Sequence, residues 1–460
     1  MADDSSVTRL VEVLRRTAQA LQPGDRLPAT RALVAAHGVG PVTVNQAVAQ
    51  LVAEGVIDTV PGRGTYVARR RAQRSADLAW QTVALGAEPI GDADLAHMLD
   101  VPGPDTLVLS AGYLSKDLQP LRALSAATAR AARRPDAWER AAPAGLPELR
   151  GILAAQLRVE PADVVVVPGG QAGLATCLRA LASPGSPVLV EVPTYLGAIS
   201  AIRNAGLRPV PVPTDAGGVR VDLLARAFEV TGSRLLYMQP TYANPSGNVL
   251  APQRRSEVLD GARAAGAFVI EDDYARHLGI DGPAPPALIH DDRDGHVVQV
   301  ASLTKPTSAS LRIGALVARG PAVQRLVTQR TVDDFFVSRV LQEATVELLT
   351  SPAWPRHLTA LRSALRSRRD ALVGAVRAHL PDAVIATVPA GGFHLWLQLP
   401  AGVDDVALAE RARREDLVIS AGRPYFVTEP PAPHIRLSFG ATGEADLVAG
   451  VRRLARLLPG

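Results

Sequence analysis

Lysine is rare in this chain: of 49 basic residues among 460, only Lys116 and Lys305 are not arginine. Lys305 stands in VASLTKPTSASLRIGALVA, positions 300–318, directly after an apolar run. A guanidinium stays protonated and cannot condense with a carbonyl. A lysine amine desolvated near other cations loses its proton and becomes a nucleophile. Other residues capable of chemistry occur in the same position, just past apolar runs. DVVVV is followed by Pro168-Gly169-Gly170-Gln171-Ala172-Gly173, opening a helix whose free N–H groups would cradle a phosphate. LLYMQ is followed by PTYANPSG, which holds Asn244, and FVI by Glu271-Asp272-Asp273-Tyr274. Arg312 lies seven residues beyond Lys305. Each feature alone is common. Together they supply a phosphate cradle, a carboxylate, a phenol, an amide, an amine and a cation.

One cofactor uses all six, pyridoxal 5′-phosphate. Its aldehyde forms a Schiff base with a lysine amine, and its pyridine nitrogen needs a carboxylate partner. Its ring hydroxyl oxygen needs donors, and its phosphate needs a cation, a hydroxyl and backbone N–H groups.

These groups must be held by a sheet. DVVVVPGG, PVLVEVP, RPVPVP, RLLYMQP, AFVIEDD, HVVQVAS and RIGALVA read as strands, separated by Ala/Leu/Arg-rich helical stretches. Most are apolar on both sides, as in a mostly parallel sheet covered by helices on both faces. In such a sheet ligands sit beyond the carboxyl ends of the strands, where the six groups fall. The length calls for two or three domains. With one cysteine, Cys177, no intrachain disulfide forms. The N-terminus has no apolar signal region and no run of 18 apolar residues occurs, so a cytoplasmic protein without a membrane partner is expected.

Charge is uneven. Residues 1–74 hold ten arginines against six acids, which accounts for the whole net charge of +4. A basic end on a neutral body suggests an anionic partner. The pattern there is three helices and a hairpin. SVTRLVEVLRRTAQAL is amphipathic, PATRALVAAHG is short and closed by glycine, PVTVNQAVAQLVAEG follows a tight turn, and VIDTV-PGRG-TYVA is two β-rich runs around a four-residue turn. This is a winged helix-turn-helix, with the third helix entering the major groove of double-stranded DNA and Arg63 at the hairpin tip. Residues 69–105, rich in Arg, Ala, Asp, Gly and Pro, read as a linker, with Trp80 and Leu85 available to pin it.

The stretch LPATRALVAAHGVGPVTVNQAVAQLVAEGVIDTVPGRGTYVA resembles the GntR family of winged-helix regulators. The resemblance implies DNA contacts from Arg31, Thr43, Asn45 and Arg63. It departs where Gly40-Pro41 replaces the usual Ser/Thr-Arg before the reading helix. Residues 106–460 resemble the fold-type I aminotransferases through AGLPELR, GGQAG, EVPTY, NPSG, EDDY, SLTKPTSASLRIG and IRLSFG. Joined to the head, the layout is similar to the MocR family of transcriptional regulators. The resemblance implies Lys305 as the lysine that forms the Schiff base and Asp272 as partner of the pyridine nitrogen. It also implies Tyr274 and Asn244 at the ring oxygen, Gly170, Gln171, Ser302 and Arg312 at the phosphate, and Tyr195 over the ring. Arg436 would take the α-carboxylate of an amino-acid effector. Thr304 departs from the usual Ser before the lysine, and YLGA after Tyr195 brings no second basic residue for a distal acid.

The expected architecture is therefore a winged helix-turn-helix at 1–68, a linker at 69–105 and an aminotransferase-like α/β domain at 106–460, with a small α/β subdomain from about 350. The expected function is regulation of transcription by a homodimer that senses pyridoxal phosphate, an amino acid or an amine. An aminotransferase carrying a DNA-binding head is the alternative. No metal site is expected.

Overall fold

The computed structural model describes residues 3–68, 80, 81, 84, 103 and 105–458. The chain divides into two compact units whose boundary falls inside the 69–105 stretch. Most of that stretch lies outside the described residues, Leu85 included. Trp80 is described and is 63% exposed, so it does not act as a pin.

The N-terminal unit contains α1 (Asp3–Gln19), α2 (Thr30–His37), α3 (Pro41–Ala53) and the antiparallel hairpin β1 (Ile57–Val60) and β2 (Gly64–Val67). α2 stops at Gly38, which takes the left-handed conformation (φ +62°) and returns its N–H to the Val34 carbonyl. α3 starts at once, with Pro41 at its first position, where a missing N–H is harmless. Gly64 already pairs with Val60, so the wing turn is three residues, Pro61–Arg63, not four. Tyr66 Oη donates to the Arg63 carbonyl at 3.0 Å and fixes the tip. Leu10, Val11 and Leu14 of α1 meet Leu33, Val44, Ala47, Leu51, Ile57 and Val67 in a core separate from that of the large unit.

The large unit is built on an eight-stranded sheet. Its strands in chain order are β4 (Val164–Val167), β5 (Pro187–Val192), β6 (Arg208–Asp215), β7 (Gly218–Val219), β8 (Leu235–Met238), β9 (Phe268–Asp273), β10 (Val297–Ser302) and β11 (Gly314–Val317). Their spatial order is β4-β11-β10-β9-β8-β5-β6-β7. The pairs β10-β9, β9-β8, β8-β5 and β5-β6 are parallel. The apolar runs are uninterrupted because alternate residues enter different cores. Val164 and Val166 face one helical layer and Val165 and Val167 the other, and Leu236 and Met238 are likewise opposed to Leu235 and Tyr237.

β11 runs antiparallel between β4 and β10, with Gly314 opposite both Val167 and Ser302. Its entry end therefore lies at the carboxyl ends of its neighbours. That reversal brings Arg312, just before β11, to the same rim as the residues that follow β4 and β10.

The small subdomain holds an antiparallel sheet of β12 (Val384–Ile385), β13 (His394–Gln398), β15 (Ser420–Ala421) and β16 (His434–Ser438). It does not begin at about residue 350. The two-residue strand β3 (Leu107–Val108) pairs in parallel with β14 (Leu417–Val418). Leu109, Leu114 and Leu118 join the core of residues from 361 onward. Both ends of the large unit thus build this subdomain. Among the described residues no helix is long and apolar enough to cross a membrane.

Leu51 is fully buried in the head core. Leu51→Ala removes about 2–5 kcal/mol at such a site, a large share of the stability of so small a unit. Scanning calorimetry of the full chain should show the head transition lowered and the large-unit transition unmoved. A joint shift would mean the two cores do not unfold independently.

Candidate functional site

A cavity of about 280 Å³ opens at the carboxyl ends of the large sheet. Gly170, Gln171, Tyr195, Asn244, Asp272, Tyr274, Ser302, Lys305, Arg312 and Arg436 all line it. The ten large-unit positions singled out from sequence are spread over 267 residues of chain and come together here. Its lining has one carboxylate, Asp272, against Lys305, Arg312 and Arg436. The balance favours an anionic occupant.

The cradle is built by glycine. Gly169 (φ +92°) precedes the helix Gly170–Leu181, and a Cβ there would lie 3.0 Å from the Arg312 guanidinium. Arg312 therefore stacks directly against the backbone that starts the helix, itself at φ +50°. Ser302 Oγ is close by, 3.8 Å from where a Cβ on Gly170 would stand. A helix N-terminus, a guanidinium and a hydroxyl around one rim form an anion site. The Gln171 side chain is turned away and donates from Nε2 to the Gly197 carbonyl at 3.0 Å, so position 171 offers its backbone N–H.

Asp272, the last residue but one of β9, is buried. Tyr237 Oη (2.6 Å) and Gln239 Nε2 (2.8 Å) both donate to its Oδ2, which leaves Oδ1 with neither. Burial raises its pKa, and the two donors work against that rise. Gln239 was not singled out from sequence, yet it ties the site together. Its Oε1 accepts from the Asn244 backbone N–H at 2.8 Å, and Asn244 Oδ1 accepts from Arg436 Nη1 at 3.0 Å. One amide thus links the carboxylate on the large sheet to the arginine on the small one. The available signal was its position, immediately after β8 on the carboxyl rim.

Lys305 Nζ donates to the Gly112 carbonyl at 2.7 Å and lies 4.2 Å from the Tyr113 ring centroid. The lysine is only partly covered because it faces the cavity. Desolvation, with Arg436 and Arg312 adding repulsion and Asp272 opposing it, lowers its pKa to about 8. Gly112 and Tyr113 follow β3, a segment without periodicity, which hid them from sequence reading.

Arg436, on β16, is buried and donates from Nη2 to the Ser110 carbonyl at 2.5 Å. Its Nε is buried without a partner, and no carboxylate among the described residues pairs with it. His394, on β13, lies on the same face. It pairs across to Ser438, two residues from Arg436 on β16. Burial, Arg436 and Lys305 push its pKa well below the ordinary histidine range, so it is neutral. It too was missed, as an isolated histidine opening a strand.

Tyr274 lies beside Asn244 in the lining, but its hydroxyl donates to the Tyr242 carbonyl at 2.8 Å. Its proton is committed there, so a ring oxygen would meet this phenol as an acceptor unless the hydroxyl turns. Tyr195 packs over the glycine that follows it. A Cβ on Gly197 would reach within 2.4 Å of the Tyr195 ring.

In the head, Arg31 on α2, Asn45 on α3 and Arg63 at the wing tip are exposed. Thr43 is not. It is 8% exposed and packs inward with Val44, so it does not face a groove. The helical phase set by Val44, Ala47 and Leu51 carries it to the core side.

Comparison with known proteins gives two matches. Residues 104–454 match the family "Aminotransferase class I and II", and residues 9–67 match "Bacterial regulatory proteins, gntR family". The chain is 26% identical over 453 residues to the HTH-type transcriptional regulator YdfD of Bacillus subtilis, covering 95% of this chain and 92% of that protein. It is 30% identical over 390 residues to the 2-aminoadipate transaminase of Thermus thermophilus, covering 83% and 98%. The crystal structure of LysN, the α-aminoadipate aminotransferase of Thermus thermophilus complexed with N-(5′-phosphopyridoxyl)-L-leucine, superposes with a TM-score of 0.73 at 28% identity, over 80% of this chain and 96% of that one.

With a pKa near 8, the Lys305 amine is mostly protonated at pH 6 and mostly neutral above pH 9. Labelling by an amine-directed acylating reagent, resolved by peptide mapping from Lys116 and the N-terminus, should rise with a midpoint near 8, well below an ordinary lysine's. A midpoint near 10.5 would mean the cavity does not desolvate this amine.

Proposed function

The chain belongs to the class I and II aminotransferase family and carries a gntR-type regulator head, and from that premise we propose that it regulates transcription by binding DNA through the head and pyridoxal 5′-phosphate with an amino acid or amine in the large unit. The observation that carries the reading is Lys305, an amine of lowered pKa in a cavity that also presents Asp272 and the Arg312–helix rim. Residues 1–68 serve as the head and 69–105 as the linker. The cytoplasm and a homodimer, two heads meeting paired half-sites, fit this role.

The residues fit the cofactor group by group. The strand-end glycines leave room at the helix N-terminus for a phosphate, which Arg312, Ser302, the Gly170 and Gln171 N–H groups would hold. The free oxygen of Asp272 would take a pyridine N–H, Asn244 and Tyr274 would border the ring oxygen, and Tyr195 would cover one ring face. When bound, the cofactor supplies an aldehyde that condenses with amines and a ring that draws electrons from them. Lys305 contributes the amine, already partly neutral at physiological pH. Tyr237 and Gln239 hold the Asp272 carboxylate in the orientation that partner needs. Arg436 is a buried cation that no acid pairs with among the described residues, a costly state that an incoming carboxylate would relieve.

A second reading, an aminotransferase with turnover, has the similarity to the Thermus transaminase in its favour. A steady-state assay with an amino-acid panel against 2-oxo acids separates the two. Sustained turnover would make the large unit an enzyme, and single-turnover behaviour fits a sensor.

Two outcomes test the proposal. The purified protein should show a visible absorption band, and borohydride should fix a pyridoxyl group on Lys305. Lys305→Arg keeps the charge but should lose the band. Finding the group on Lys116, or on no lysine, would overturn both cofactor and site.

Arg436→Ala should retain the band and weaken the response to amino acids on the order of a hundredfold, the scale of a lost charge-assisted bidentate pair. Titrations unchanged from the parent would remove Arg436 from ligand binding and make the cofactor itself the signal.

A further inference from the structure

α3 carries no charged residue along its whole length, PVTVNQAVAQLVA. Thr43, Val44, Ala47 and Leu51 are buried. Val42, Asn45, Gln46 and Ala49 are exposed. Their spacing, three, one and three residues, makes a single stripe over two helical turns. Val42 is 69% exposed, an open apolar group at the leading end of that stripe. Before it, Gly40 has no side chain and Pro41 has no N–H, so the start of the helix brings no cation and no extra donor. The nearest acid, Glu54 at the far end, is held by Arg15 and Gln50. The exposed arginines of the head all lie on other elements than α3, among them Arg31 on α2 and Arg63 on the wing.

Base pairs present different groups in the major groove. Guanine O6 and N7 are read by Arg or Lys, adenine N7 and N6 by the bidentate amide of Asn or Gln, and the thymine methyl by apolar contact. The α3 stripe has the second and third kinds of reader and lacks the first. Resting on the reading of the head as DNA-binding, we propose that α3 selects A·T base pairs. Asn45 and Gln46 engage adenine edges, and Val42 packs on a thymine methyl. Arg31 and Arg63 hold the backbone and add affinity without sequence information. The occupant is duplex DNA rather than a protein helix, because half of the stripe is amide and the chain's whole positive excess, the four arginines at 69–74, follows directly in sequence on the head that carries it.

The test is selection from a library of randomised duplexes by the full-length protein, followed by binding measurements at one fixed salt concentration. The enriched sites should share A·T pairs at their central contacted positions. Replacing thymine by deoxyuridine removes only the methyl group and should weaken binding several-fold. Val42→Ala should make the two bases equivalent. Asn45→Ala and Gln46→Ala should each lose roughly 5- to 150-fold on the selected site, the range of one bidentate pair, with little change on unselected duplex. Asn45→Arg should move the preference at one position to G·C. Arg31→Ala should weaken all duplexes alike. These side chains are exposed, and unchanged melting temperatures confirm that the variants fold. Selected sites with conserved G·C centres, or no effect of the thymine methyl, overturn the A·T assignment while DNA binding stands. Retention of no duplex at all overturns the DNA reading and this assignment together.

Discussion

A charged carboxylate in a buried pocket survives only if donors hold it, and Asp272 is held by two on the same oxygen. Much of the site follows from that requirement. Tyr237 reaches Asp272 because β8 and β9 are adjacent parallel strands in register, Tyr237 opposite Ile270. Gln239 reaches it because the chain turns immediately after β8. The same Gln239 amide then fixes the Asn244 backbone, and Asn244 fixes Arg436. A carboxylate, two amides and a guanidinium form one connected line. Each member sets the position of the next, and the line crosses from the large sheet to the small one.

The opposing sign is handled by spacing rather than by pairing. Lys305, Arg312 and Arg436 share a cavity with a single acid, and the cost falls on the lysine, the only one of the three that can discharge by losing a proton. His394 stays neutral for the same reason. The amine is thus kept from permanent charge first by burial and then by repulsion from Arg436 and Arg312.

The large sheet was open to sequence reading because its long strands, β6 apart, are buried on both faces and so read as apolar runs. The site residues were legible for the same reason, since they follow those runs. What escaped has physical causes. β3, β7, β12, β14 and β15 are two residues long, too short for any period. The contribution of residues 107–118 to the small subdomain depends on pairing across 310 residues of chain, Leu107 with Leu417, which no local pattern records. Thr43 was placed outward by likeness, although Val44, Ala47 and Leu51 fix a helical phase that turns it inward. Gln239 and His394 act through long-range partners, and their types alone gave no sign of it.

The pairing of β3 with β14 has a mechanical meaning. The first strand of the large unit pairs with the small subdomain, not with the large sheet. Arg436 belongs to that same subdomain, and Ser110, which its guanidinium grips, lies two residues past β3. The first strand of the large unit and the buried arginine therefore belong to one subdomain. Whatever shifts that subdomain against the large sheet shifts Leu107 and Val108, the first strand residues after the 69–105 stretch, along with the guanidinium.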